Sequence, residues 1–348
     1  MKISKLFLTA LLSFPLFFSC TNDDDVPVAP VPGAYENGFF VINEGSGAKG
    51  TVGFISNDLN TVQQDVYGDV NSNDALGGYI QSMFFDGEKA YIISGSSNRI
   101  TIVDRKTFKL IGKITTGLVN PRYGVVVNGK AYITNANSYD SPTNATDDFV
   151  AVINLSNNTL ETSIPLNTTA DKIINDSGKL YIIESYNNSN VLVVNTTTKT
   201  LETPINIGDS ANSMEISNGF LYVVRNPFGV NSELVKIKLS DKTFTTLPFS
   251  LENVKNLDIY ENKIYYTSGK SVYSMDIATT TPSTTPILTY TSTSTYGEMY
   301  GFSVNKNRIF VADSPAFDVN GKVYIYSLTG TLQKSIDVGV GPNSFYFN

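Results

Sequence analysis

At 348 residues the chain exceeds the roughly 250–300 residues at which a single hydrophobic core stops growing, so repeats have to be sought first. Charged residues make up only 16% of it, Tyr and Phe number 20 each, and Ser, Thr and Asn are abundant, which favours strands and turns over helices. A net charge of -7 without a basic tract argues against nucleic acid as a partner. The lack of histidine and the single cysteine exclude imidazole catalysis, imidazole or thiolate metal sites and disulfides; carboxylate, tyrosine and lysine chemistry and oxygen-ligated calcium stay open.

Residues 1–19 read as a signal peptide, with Lys2 and Lys5 ahead of an apolar run from Leu6 to Phe18 that is too short to span a bilayer. The run ends in "LFFSC", so the lone cysteine, Cys20, follows a small residue as in a bacterial lipobox, although Phe17 and Phe18 depart from its commonest residues. Acylation of Cys20 would hold the protein on a membrane by lipid alone. Residues 20–33, "CTNDDDVPVAPVPG", form an acidic, Pro-rich tether that cannot build a core. The folded domain spans 34–348.

From there one pattern recurs: a turn, then a strand with a central aromatic. "GFFVI", "GEKAYII", "NGKAYIT", "SGKLYII", "NGFLYVV", "ENKIYYT" and "KNRIFVA" carry Phe40, Tyr91, Tyr132, Tyr181, Tyr222, Tyr265 and Phe310. Successive spacings are 51, 41, 49, 41, 43 and 45 residues, close to the period of about 40–50 expected of four-stranded propeller blades. Each motif strand is followed by an apolar third strand ("TVGFIS", "RITIVD", "FVAVIN", "NVLVVN", "LVKIK", "SVYSMD", "KVYIYS") and a more polar fourth. Pro204 in "TLETPI" fits an edge strand, where a missing N–H costs no ladder bond. Blade one lacks a first strand and the C-terminal "GPNSFYFN" is a first strand without a blade. The fold is therefore all-β, a monomeric seven-bladed β-propeller of four-stranded antiparallel blades, closed by the C-terminal strand pairing into blade one.

Ten residues before each aromatic the chain enters the innermost strand, at Gln81, Arg122, Asp171, Asn212, Lys255 and Tyr300, with Asn343 the equivalent in the closing strand. Every one of these side chains can hydrogen-bond, and in propeller geometry they ring one mouth of the central channel. A second ring follows three residues after each aromatic: Asn43, Ser94, Asn135, Glu184, Arg225, Ser268 and Asp313. Strand ends are polar in any case, but the residue types vary from blade to blade, and Arg122, Tyr123, Arg225, Tyr296 and Tyr300 add stacking surface and forked donors suited to an amphipathic small ligand. An insertion in blade three, Asn135 to Phe149, reads as a lip over this mouth or as tolerated surface. Asp147, Asp148 and the "FDVNGK" at Phe317 read as turn residues, since a calcium loop needs more oxygens at fixed spacing.

"VINEGSGAKGTVGFIS", "VNPRYGVVVNGKAYIT" and "IVDRKTFKLIGKI" resemble the YncE-like seven-bladed propellers found as surface lipoproteins of Bacteroidetes, over residues 34 to 348. The resemblance implies a lipid anchor on the outer membrane facing the cell surface. In some members it implies capture of a corrinoid at the propeller mouth above a TonB-dependent transporter. The expected function is non-enzymatic binding of a small ligand by the mouth residues, Glu44 among them, with no cofactor or metal. A protein- or glycan-binding scaffold is the alternative, and a carbohydrate-active enzyme using Glu44 or Asp171 a third reading.

Overall fold

The computed structural model describes residues 33–47, 49–72, 74–137, 147–184 and 189–348. The signal peptide, Cys20, the tether before Gly33 and residues 138–146 of the insertion lie outside the described residues. The rest forms seven antiparallel sheets in chain order, each built from four strands laid side by side.

The closing strand is where the sequence placed it. Pro342–Phe347 pairs antiparallel with Gly38–Asn43, joining Phe39 to Phe347 and Val41 to Phe345, so the first and last parts of the domain share blade one. Phe39, Phe310, Phe345 and Phe347 meet there, with ring centroids 4.9–6.2 Å apart. Blade four shows the effect of Pro204: its fourth strand is split into Thr200–Leu201 and Ile205–Asn206, because the proline has no N–H to give the ladder.

All seven motif aromatics are at most 3% exposed. Each belongs to a core that its blade shares with the next: Phe40 to the blade one/two junction, Tyr91 to two/three, and so on to Phe310 at seven/one. There are thus seven junction cores, which is why no blade is stable alone and why the ring has to close. The hairpins between first and second strands turn on two left-handed residues at Asn128–Gly129, Ser177–Gly178, Asn218–Gly219, Glu261–Asn262 and Lys306–Asn307. This type I′ turn matches the twist of the strands it joins and keeps that end of the propeller tight.

One element departs from the all-strand reading. After blade one's two-residue fourth strand, Val66–Val70 forms a short helix, with Asp65 accepting from Gly68 N at 3.0 Å. Its Val66 and Tyr67 are buried and extend the blade one/two core where that blade has little outer strand. Among the described residues no helix is long and apolar enough to cross a membrane.

Candidate functional site: the loop end of the propeller

Because strands in each blade alternate in direction, the connections between blades and the loops joining second to third strands emerge at the same end. At Tyr79, Asn120, Ser210, Asn253 and Gly341, two residues before the entry position, the backbone turns through left-handed φ values of 43–67°. This sharp turn delivers the entry residue to the channel mouth.

The entry residues and residues within two positions of them build a belt that links every pair of adjacent blades. Asn343 Nδ2 donates to Ile80 O at 3.0 Å, Gln81 Nε2 to Tyr123 Oη at 2.8 Å, and Arg122 Nε to Asp171 Oδ1 at 2.8 Å. Lys172 Nζ donates to Asn212 O at 2.9 Å, Leu257 N to Ser213 Oγ at 2.9 Å and Asn256 Nδ2 to Met299 O at 3.0 Å. Tyr300 Oη donates to the Glu44 carboxylate, joining blade seven to blade one, and Phe317 packs edge-on against the Tyr300 ring at 5.0 Å. Arg122 thus meets Asp171, as its place in the repeat predicts, whereas Gln81 bonds Tyr123 and Ser82 Oγ donates to the Arg122 carbonyl at 2.6 Å. Burial pushes the Glu44 carboxyl upward, against the Tyr300 hydroxyl and the Arg122 charge. Burial likewise raises the Tyr123 phenol and lowers the Lys172 ammonium.

Four members of the second ring are internal rather than lining the mouth as expected. Asn43, Ser94, Asn135 and Asp313 are at most 3% exposed. Asn43 Nδ2 donates to Thr51 Oγ1, Ser94 Oγ to Leu76 O, and Asn135 Oδ1 accepts from Val119 N. Asp313 Oδ1 accepts from Tyr290 Oη and Ser292 Oγ, both at 2.6 Å. Ser268 Oγ donates to Glu252 O, and Glu184 accepts from Thr169 Oγ1. Arg225 lies back on its own blade, with Nη1 on Glu233 at 2.6 Å and Nε on Asp209 O; a Cβ on Gly208 would occupy the space of its guanidinium. The ring is polar because its members brace the strand ends: Ser94, Asn135, Arg225 and Ser268 bond main-chain groups there, and Asn43, Glu184 and Asp313 bond neighbouring side chains. Asp148, read from sequence as a turn residue, is buried and accepts from Ala170 N and Asn137 N; burial pushes its carboxyl up to about 6.

Three charged groups of the channel wall were not singled out by the sequence pattern: Lys172, Glu215 and Asp258, on the innermost strands of blades four, five and six. Asp258 accepts from Val304 N at 2.7 Å and Ser303 Oγ at 2.9 Å, and burial pushes its carboxyl upward. The Glu215 carboxyl has no hydrogen-bond partner among the described residues, its main chain being paired with Tyr222; burial, then the Asp258 charge, push the carboxyl up to about 8, against the pull of Lys172. The unfolded chain releases this proton near its ordinary value of 4.5, while the fold keeps it until about 8. Stability from this group is therefore full below about 4.5 and is lost as pH rises to about 8. Glu215→Gln is expected to remove on the order of 1–3 kcal/mol from the stability difference between roughly pH 5 and pH 8. Urea denaturation at both pH values checks this, and an unchanged difference would contradict it.

In one sector the entry side chains take no part in the belt. The Asn212 amide and the Lys255 ammonium have no side-chain hydrogen bond or ion pair among the described residues, unlike the entry residues of the other five blades. Beside Lys255, between blades six and seven, opens a cavity of about 640 Å³ lined by Glu252, Lys255, Ser268, Tyr296, Glu298 and Met299, among others. Exposed apolar side chains gather at the same end. Of eleven large hydrophobics exposed among the described residues, Tyr79, Val119, Phe228, Val230, Tyr296, Phe317 and Val319 are on loops here, and the other four lie on outer strands. Among the described residues no group of three or more acidic or cysteine side chains is placed to hold a metal ion.

A family model described as a domain of unknown function (DUF5074) matches residues 37–347. No curated protein matches the chain in sequence. Among solved structures, a quinonprotein alcohol dehydrogenase-like protein from Bacteroides thetaiotaomicron is 18% identical, with a TM-score of 0.68 over 90% of this chain and 78% of that one. Hydrazine synthase from Kuenenia stuttgartiensis is 16% identical, TM-score 0.57, over 74% of this chain and 86% of that one. Apo AztD from Citrobacter koseri is 11% identical, TM-score 0.55, over 88% and 96%. At these identities the likeness is one of fold.

Proposed function

We propose, from the premise that the chain belongs to the DUF5074 family, that it is a non-enzymatic binding protein capturing a small amphipathic ligand at the loop end of its propeller. The observation that carries this reading is the asymmetry of the two ends: exposed aromatic and apolar side chains and unpartnered polar groups collect on the loop end, and tight hairpins close the other. A mouth already tied together by its belt needs little reorganisation to bind, which lowers the cost of capture. The resemblance to YncE-like Bacteroidetes lipoproteins supplies the rest of the proposal: an anchor through acylated Cys20 on the outer-membrane surface, and delivery to a TonB-dependent transporter. A corrinoid is the first ligand to test. Calorimetric titration with cyanocobalamin is expected to show saturable heat at micromolar ligand; no heat from a folded sample removes the corrinoid version.

One observation favours a macromolecular partner as a second reading. Phe228 is fully exposed and Val230 more than half exposed on the same blade-five loop, which suits docking against another protein such as that transporter.

A further inference from the structure

The cavity between blades six and seven combines features that belong together in one kind of site. Its walls are fixed: Ser268 Oγ bonds Glu252 O at 2.8 Å, Thr267 Oγ1 bonds Lys255 O at 3.0 Å, and Met299 N bonds Tyr290 Oη at 3.0 Å. Met299, at the cavity wall, holds a left-handed φ of 52°, a conformation that a bulky side chain adopts only when its surroundings impose it. The functional groups are not fixed in this way. Neither Glu252, Lys255 nor Glu298 forms an ion pair or side-chain hydrogen bond with another described residue, and Glu298 Oε2 is enclosed with no hydrogen-bond partner. A buried acceptor left without a donor costs free energy, so the partly accessible Glu298 side chain gains by turning its carboxylate toward a donor held in the cavity. Tyr296 stands at the rim, 85% exposed, with its ring free to cover a ligand.

The charges decide the class of ligand. A cation would gain from Glu252, Glu298 and the Tyr296 face but would meet Lys255; an anion would pair with Lys255 but meet both carboxylates. A neutral ring bearing several hydroxyls satisfies both signs, since each hydroxyl donates to a carboxylate and accepts from the ammonium. The C–H face of such a ring packs on a tyrosine, and about 640 Å³ is within the range of pockets that enclose small molecules. We propose that this cavity, in the blade six/seven sector of the loop end, is a binding site for a neutral sugar ring; it does not depend on the ligand being a corrinoid, so a failed cobalamin titration leaves it standing.

Saturation-transfer NMR with glucose, galactose, mannose and N-acetylglucosamine, each at about 10 mM, tests the proposal. At least one neutral sugar is expected to receive saturation from the protein, and its apparent affinity is expected to fall about tenfold or more in Tyr296→Ala, an exposed position whose loss leaves the fold intact. Glu298→Gln is the second variant; it too is expected to weaken the sugar, because an amide halves the acceptor capacity facing it. Glucosamine and glucuronate, the cationic and anionic counterparts, are expected to bind more weakly. No transfer to any of the four neutral sugars, transfer unchanged in both variants, or a preference for either charged sugar would overturn it.

Discussion

Removing Pro342 to Asn348 is expected to abolish the cooperative propeller rather than weaken it. Those residues include the first strand of blade one and pair with Phe39 to Asn43 along its length. Their loss removes Phe345 and Phe347 from the ring cluster around Phe39 and Phe310, and removes the Asn343 link of the belt to blade two. At about 1.5–3 kcal/mol for each large apolar side chain buried, these losses and the strand pairing approach the whole stability of about 5–15 kcal/mol typical of a domain. The strand Gly38–Asn43, buried throughout, would become an open apolar edge that invites pairing with other chains. A chain ending at Gly341 is expected to be insoluble or to melt without a cooperative transition by circular dichroism. A sharp transition close to that of the full chain would contradict closure by this strand.

The second large effect is expected at Phe310. It is 1% exposed in the blade seven/one core, with its ring 4.9 Å from Phe39, 5.1 Å from Phe347 and 5.6 Å from Phe345. Phe310→Ala leaves a cavity among rings that rigid strands hold apart, so the site cannot collapse onto it, and the cost is about 3–5 kcal/mol. Urea denaturation is expected to show a lower midpoint with an unchanged slope. A loss under about 1 kcal/mol would mean that the closing junction is packed more loosely than these distances imply.

The fold was legible because a propeller writes itself into its sequence seven times. A motif aromatic at intervals of 41 to 51 residues marks a position that must be buried in every blade, and the unmatched strands at the two ends disclose the closure. The short helix at Val66 was not legible, since five residues filling a gap beside one blade have no counterpart in the others to compare with.

The site was legible in part. Repeat alignment placed Arg122 beside Asp171 across 49 residues of sequence, because both occupy the same point of adjacent blades. It could not separate a polar group that meets a ligand from one that braces a neighbouring strand end. Asn135 and Asp313 look like mouth residues in the alignment and prove to be internal braces. The channel charges did leave a trace. Seven residues before the aromatic, where other blades carry Phe84, Val125, Ile174, Ser303 and Tyr346, blades five and six carry Glu215 and Asp258. Glu252 and Glu298 left none, because they lie on connections whose lengths differ between blades.

Hydrogen exchange measured by mass spectrometry on the protein with and without saturating cyanocobalamin tests most directly whether the loop end is the capturing face. Protection is expected in the connections that enter blades two to seven, around Tyr79, Asn120, Asp171, Ser210, Asn253 and Met299, and none at the hairpins around Asn128, Asn218 and Asn307. Protection confined to those hairpins, or to the outer strands, would contradict it.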